Sequence, residues 1–327
     1  MEGILASWGR ILSGYTPALS IEITRECPLR CPGCYAYGDD HLGGTLTLRE
    51  VRDFKGQELV DRFMEVVDRH RPLHVSIVGG EPLVRYRELG AILPQLAERR
   101  IHAQVVTSAV REIPKEWHGM FRLSIVVSID GLQPEHDARR TPATYDRILK
   151  HIEGHHITVH CTVTRQQVNR PGYLEDFLKF WTPRPEVEKI WFSLYTPQIG
   201  EVSEERLRPA ERARAVEDML ALRLRYPKLA LPKGLLEVYA EPPSSPDECV
   251  FARSTLTLSA DLTTKITPCQ YGGAPDCSQC GCIASAGLAA VARHQLFGFI
   301  PVGAIFNGSL KVGEKMRRLR PVEPTTA

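Results

Sequence analysis

The chain has 327 residues, 43% of them hydrophobic and 24% charged, and 41 Lys and Arg set against 39 Asp and Glu give a formal net charge of +2. That balance suits a globular protein and excludes a disordered tail, a collagen-like fibre and a general nucleic-acid-binding surface. The length predicts one large or two modest domains.

From the N-terminus, Met1-Glu2-Gly3 lacks the basic segment and cleavable apolar stretch of a secretory signal, so a cytoplasmic location is expected. Ile4, Leu5, Trp8, Ile11 and Leu12 recur at helical spacing and predict a short amphipathic helix within residues 1–16. Apolar, β-rich runs then alternate with helical stretches. Strands are predicted at 18–24, 73–78, 101–107, 123–129, 157–164 and 189–195. Thr47 and Glu50 have the spacing of a capping box, predicting a helix from there to about Arg69. Further helices are predicted at 86–99, 145–154 and 173–181. This alternation implies parallel strands with right-handed crossovers, as an open sheet or a partial β/α barrel over residues 17–200, with the chemistry at the carboxyl ends of the strands.

Residues 201–246 read as a helical linker, with a helix at 209–226 and a Pro/Ser break at 241–246. Residues 247–327 read as a small cysteine-rich module with a hairpin, 255–260 and 265–267, turning at Asp261. The apolar run 287–306 is broken by Arg293, His294 and Gln295 and is too short to span a membrane. The basic tail, Lys311, Lys315, Arg317, Arg318 and Arg320, reads as a solvated helix face.

Nine cysteines in such a chain point to metal or redox chemistry before disulfides. Cys27, Cys31 and Cys34 follow the first predicted strand as C-x3-C-x2-C. Cys249, Cys269, Cys277, Cys280 and Cys282 form a second group, and Cys161 alone reads as a buried small hydrophobe. Structural zinc closes with four protein ligands, whereas a [4Fe–4S] cubane on three thiolates keeps one iron open to another molecule. A zinc site completed by a distant His41 is the competing reading of the first group.

The first cysteine loop resembles the signature of the radical S-adenosylmethionine (SAM) superfamily. Gly79-Gly80-Glu81-Pro82, Thr107-Ser108, Ser128-Ile129-Asp130-Gly131 with His136, Asp137 and Arg140, and Thr162-Val163-Thr164 with Asn169 stand at the ends of successive strands, as that superfamily's motifs do. The resemblance implies an α/β fold with a partial (β/α)6 barrel. It implies a cluster on Cys27, Cys31 and Cys34 whose open iron chelates SAM, with contacts to SAM from Gly79, Gly80, Glu81, Pro82, Thr107, Ser108, Ser128, Asp130 and Arg140. The residue before the third cysteine is aromatic in most members and is Gly33 here, which leaves Tyr35 or Tyr37 to stack on the adenine. The second group resembles the SPASM and twitch modules. It implies one auxiliary [4Fe–4S] cluster, with one of the five cysteines, Cys280 or Cys249, spare; a four-cysteine zinc site is the alternative. The implied function is reductive cleavage of SAM to a 5′-deoxyadenosyl radical acting on a peptide, or a lipid or other small molecule, with an electron donor such as flavodoxin or ferredoxin. A non-catalytic iron–sulfur or zinc protein is the alternative, and no nucleic-acid partner is expected.

Overall fold

The computed structural model describes residues 8–318 apart from 143 and 297, so Ile4, Leu5 and Arg320 lie outside the described residues. The strands are β1 (Ala18–Glu22), β2 (His74–Val78), β3 (His102–Thr107), β4 (Leu123–Ser128), β5 (Ile157–Val163), β6 (Val187–Leu194) and β7 (Thr255–Leu258). They form one sheet in the order β6-β5-β4-β3-β2-β1-β7, and every pairing in it is parallel. The first six pair with their sequence neighbours, the winding of an α/β barrel, and each starts and ends within about two residues of its predicted bounds.

The crossovers carry α1 (Gly56–His70), α2 (Tyr86–Glu98), α3 (Glu135–Arg139), α4 (Tyr145–His151), α5 (Arg165–Val168), α6 (Tyr173–Trp181) and α7 (Pro209–Arg225), followed by α8 (Lys233–Ala240), α9 (Val250–Ser254), α10 (Ile283–Arg293) and α11 (Val302–Arg318). Residues 8–12 are helical. Among the described residues no helix is long and apolar enough to cross a membrane.

Side-chain alternation along the strands separates two faces. Leu19, Ile21, Val75, Ile77, Val105, Val127, Val159 and Phe192 face outward and are buried in one core with Leu59 and Phe63 of α1, Leu89 and Ile92 of α2, and Phe177 and Trp181 of α6. Each such side chain contributes roughly 1.5–3 kcal/mol by leaving water. The inward positions are instead Ser20, Ser76, Gln104, Ser128, His160 and Ser193, which line a central cavity of about 1140 Å³. Parallel strands covered on both faces usually read as continuous apolar runs; here the polar alternate positions keep the interior of the barrel open.

Two elements depart from expectation. The helix predicted from Thr47 begins at Gly56. Glu50 does reach back to the Thr47 N–H, at 2.6 Å, but Asp53 accepts hydrogen bonds from Thr24 Oγ1 at 3.0 Å and from Arg85 Nη2 at 2.8 Å. Those bonds tie the segment to the ends of β1 and β2 and keep it out of a helix. The predicted hairpin exists, with Ser259 N–H donating to Thr264 O and Ile266 N–H to Thr257 O, yet its first arm is β7, which extends the main sheet beside β1. Helix α10 packs against β6, α8 and α9 and closes the gap between the two sheet edges.

Candidate functional site

Cys27, Cys31 and Cys34 lie on the loop after β1, and all three are free thiols of intermediate exposure. The loop's course is set from β2. A Cβ on Gly79 would sit 2.2 Å from Glu22 Cβ, and one on Gly80 would sit 2.4 Å from Glu26 O. Both glycines have positive φ, 78° and 49°, a region L side chains rarely adopt. The Glu81 N–H completes the contact by donating to Glu26 O at 2.9 Å. In this structure the two glycines therefore press the β2 turn onto the backbone that leads into the cysteines. Gly79→Ala is expected to cost about 2 kcal/mol or more, from strain and clash together, read as a lower urea midpoint with unchanged m.

Glu81 is buried, and its carboxylate accepts from Leu83 N–H at 2.9 Å, from Ser108 N–H at 2.8 Å and from the Thr107 hydroxyl. It fastens the β2 turn to the end of β3, and Pro82 starts the short 3-10 turn behind it. Ser108 Oγ in turn accepts from Arg140 Nη1 at 2.9 Å. Arg140 Nε and Arg139 Nη1 both donate to Asp130 Oδ2, at 2.7 and 2.6 Å, while Thr162 N–H donates to Asp130 Oδ1 at 3.1 Å. Burial alone would raise the Asp130 carboxyl, but Arg140 and Arg139 hold it well below the usual carboxylate range. Glu205, on the loop after β6, receives Arg139 in a two-pronged pair with both bonds at 2.7 Å. The strand ends of β2, β3, β4, β5 and β6 are thus joined by one charged frame, which includes the expected residues Glu81, Thr107, Ser108, Asp130 and Arg140.

Arg139 and Glu205 were not singled out from the sequence. Arg139 stands beside Arg140 and could have been; Glu205 lies 66 residues away from Arg139 with no motif around it.

Arg139, Arg140, Ser128, Cys31, Gly33 and Cys34 all line the central cavity. Burial raises the Cys27 thiol to about 11 and also raises Cys31. Such thiols ionise readily only when a strong cationic centre takes the sulfur. A Cβ on Gly33 would stand 3.6 Å from Tyr195 Oη and 4.0 Å from Glu205 Oε2. Tyr35 lines the cavity beside Gly33. Tyr37 is turned elsewhere: its hydroxyl donates to Arg25 O at 2.6 Å and Arg49 lies over its ring. Tyr35, Tyr195 and Tyr271 all line this cavity, whereas Tyr37 does not face it.

In the cavity wall, burial pushes His74 and His160 down to about 4, and elsewhere in the fold the same cause acts on His70 and His136.

 In the unfolded chain these imidazoles titrate near 6.5, so between pH 6.5 and 4 the unfolded state binds protons that the folded state refuses. Stability is therefore full above pH 6.5 and falls as pH drops towards 4. A thermal-unfolding midpoint that declines over this interval, with a shallower decline for His160→Gln, is the expected result.

The second cysteine group converges as well. Cys249, Cys269, Cys277, Cys280 and Cys282 line one small pocket of about 20 Å³ together with Ser285 and Phe251. Burial pushes Cys269 up to about 12 and Cys277 to about 11, and raises Cys280 and Cys282. Arg212 donates to Gln279 O at 3.0 Å and to Cys280 O at 2.6 Å. A Cβ on Gly281 would meet Leu194 O at 2.1 Å, so this loop lies directly across the end of β6. Cys161 is buried on β5, in the outward-facing core.

The two cysteine loops meet at His41. Its Nε2 is 2.8 Å from Glu22 Oε1, its Nδ1 is 3.0 Å from Tyr271 O, and Tyr35 and Tyr271 lie edge to face at 5.2 Å. With both ring nitrogens engaged, His41 is not poised as a fourth ligand for Cys27, Cys31 and Cys34. Among the described residues, no three His, Cys, Asp or Glu side chains are gathered tightly enough to hold one metal ion.

Residues 21–164 match the family model of the Radical SAM superfamily, a stretch that contains the three cysteines, the Gly79-Gly80 turn, Asp130 and Arg140. A solved structure of Streptococcus suis SuiB bound to precursor peptide SuiA is similar at 17% identity and a TM-score of 0.55, over 79% of this chain and 61% of that one. Native anSMEcpe with bound AdoMet is similar at 16% identity and a TM-score of 0.55, over 75% of this chain and 72% of that one. SuiB bound to S-adenosylmethionine is similar at 18% identity and a TM-score of 0.47, over 65% of this chain and 45% of that one. The chain thus spans about half to three fifths of the SuiB chains' length. No curated protein matches the sequence.

Proposed function

We propose that this enzyme, which carries a Radical SAM superfamily domain over residues 21–164, holds a [4Fe–4S] cluster on Cys27, Cys31 and Cys34 and binds SAM between that loop and Arg140. When bound, the cluster and SAM supply one-electron cleavage of the sulfonium to methionine and a 5′-deoxyadenosyl radical able to attack an unreactive carbon. The observation that carries this reading is a set of three thiols of intermediate exposure on one loop, two of which share a cavity with a fixed guanidinium. Three thiolates suit a cubane with an open corner, whereas closed zinc sites want a fourth ligand.

The chain's own residues would then act as follows. Asp130 keeps Arg140 ionised and aimed, and Arg140, with donors beyond those spent on Asp130 and Ser108, receives a ligand carboxylate. Ser128 offers a hydroxyl on the cavity wall. Glu81 and Thr107 satisfy each other, so their part is to hold the strand ends in place. Gly79 and Gly80 place backbone beside the cysteine loop.

The five C-terminal cysteines supply more than the four thiolates that saturate a second cubane, so an auxiliary [4Fe–4S] cluster is assigned to them, with one thiol to spare. A ferredoxin or flavodoxin in the cytoplasm would supply the electron. After anaerobic reconstitution, dithionite and SAM should yield 5′-deoxyadenosine and methionine. A protein loaded with cluster yet inert towards SAM would overturn the assignment.

A further inference from the structure

The lining of the central cavity is divided by charge. Its ionised side chains, Asp39, Asp40, Arg139, Arg140 and Glu201, all lie in segments that follow the carboxyl ends of the strands or just beyond the cysteine loop. Among the described residues, the lining towards the amino ends of the strands carries no Asp, Glu, Lys or Arg. There the wall is the inner face of α10, with Gly287, Leu288 and Val291 at helical spacing, and Phe306 of α11. His74 and His160, the imidazoles on this wall, are neutral at physiological pH.

Polar groups at this level are uncharged and sit in register. Ser20, Ser76 and Gln104 are paired neighbours on β1, β2 and β3, and all three line the cavity. Ser76 and Gln104 are partly exposed to the cavity, whereas Ser20 Oγ and, from β7, Thr255 Oγ1 are buried behind its surface with no hydrogen-bond partner in the protein. The volume, about 1140 Å³, exceeds the roughly 300–1,000 Å³ of a pocket for one drug-sized ligand, which leaves room for a substrate beside a cofactor.

We infer that the chamber bounded by α10, Phe306 and the Ser20–Ser76–Gln104 row binds a neutral, largely apolar small molecule of lipid character, with a hydroxyl or carbonyl group meeting Ser76 and Gln104. The inference rests on the proposed function in taking this molecule as the substrate. A charged group cannot be accommodated at this depth without a counter-ion, and the lining there provides none. An extended peptide would place many backbone N–H and C=O groups against α10, whose lining face offers them no partners.

The test is equilibrium dialysis of radiolabelled 1-dodecanol against anaerobically reconstituted enzyme, with dodecylammonium as the charged counterpart and an unlabelled uncharged decapeptide as competitor. Saturable uptake of dodecanol, at least about tenfold tighter than dodecylammonium and not displaced by the peptide, is expected. Leu288→Glu should weaken uptake about tenfold or more with unchanged circular dichroism, while Leu288→Met should retain it. Absence of saturable uptake, equal affinity for the ammonium, or displacement by the peptide would each overturn the inference. SAM cleavage without added substrate, measured on the same preparation, separates the two readings. Cleavage without dodecanol uptake rejects the substrate class alone, and uptake without cleavage rejects the radical chemistry alone.

Discussion

The Cys31→Ala/Cys34→Ala double variant should lose 5′-deoxyadenosine formation entirely while keeping about half of the iron of the reconstituted protein. The first group has three thiols and no reserve: both ring nitrogens of His41 are held, by Glu22 and by Tyr271, and Tyr37 is bound to Arg25 O. Removing two of three ligands leaves nothing nearby to rebuild a cluster. The second group has five thiols around a pocket of its own, so it should reconstitute as before. The complementary variant, Cys269→Ala/Cys282→Ala, should also lose about half of the iron, but from the other site. Iron and sulfide analysis with Mössbauer spectra of both variants checks this. A double Cys31/Cys34 variant that still cleaves SAM, or that loses all iron, would show that the two groups are not the independent sites described.

Asp130→Ala should be the most destabilising single substitution in the charged frame. The carboxylate is fully buried and faces two guanidiniums that are themselves mostly covered. Deleting it leaves Arg139 and Arg140 with an uncompensated buried charge, a loss of about 3–5 kcal/mol. Glu205 can still hold Arg139, but Arg140 keeps only Ser108 among the bonds described here. Asp130→Asn should cost less, because an amide oxygen can still accept from Thr162 N–H. The two variants together separate charge from shape. The wild-type contribution also has a pH signature. Because the folded carboxyl is depressed, its stabilisation is fully present above the ordinary value of 3.8 and is lost as pH falls below it. Denaturant titrations at pH 7 and at about pH 2.5 on wild type and Asp130→Asn check both statements; equal stability of the two proteins at pH 7 would contradict the role given to the charge.

Much of the architecture was legible because its signals are local. Six strands and the helices between them follow from runs such as 157–164 and 101–107, which are too short and too rich in β-branched residues to be helices. The cysteine spacing and the Gly-Gly-Glu-Pro turn could be placed at strand ends without coordinates. The polar interior was also written in the chain, as alternate Ser20, Ser76, Gln104 and Ser128, although a parallel-sheet reading does not look for polar residues there. The helix predicted from Thr47 failed for the opposite reason. Its cap is real, but Asp53 is captured by Thr24 and Arg85, partners 29 and 32 residues away.

The sequence by itself determined what lies close along the chain: the order of strands and helices, the two cysteine groups, and the motif positions that lead to the Radical SAM superfamily. Local spacing suffices for these, because side-chain periodicity and ligand spacing are set within a few residues. Only the tertiary structure decided what joins across the chain. It placed β7 beside β1, carried Glu205 onto Arg139, seated His41 between Glu22 and Tyr271, and set α10 along a cavity whose ionised side chains lie near the carboxyl ends of the strands. Such pairings depend on which buried charge or open sheet edge finds its complement after collapse, and nothing in the neighbouring residues announces the partner.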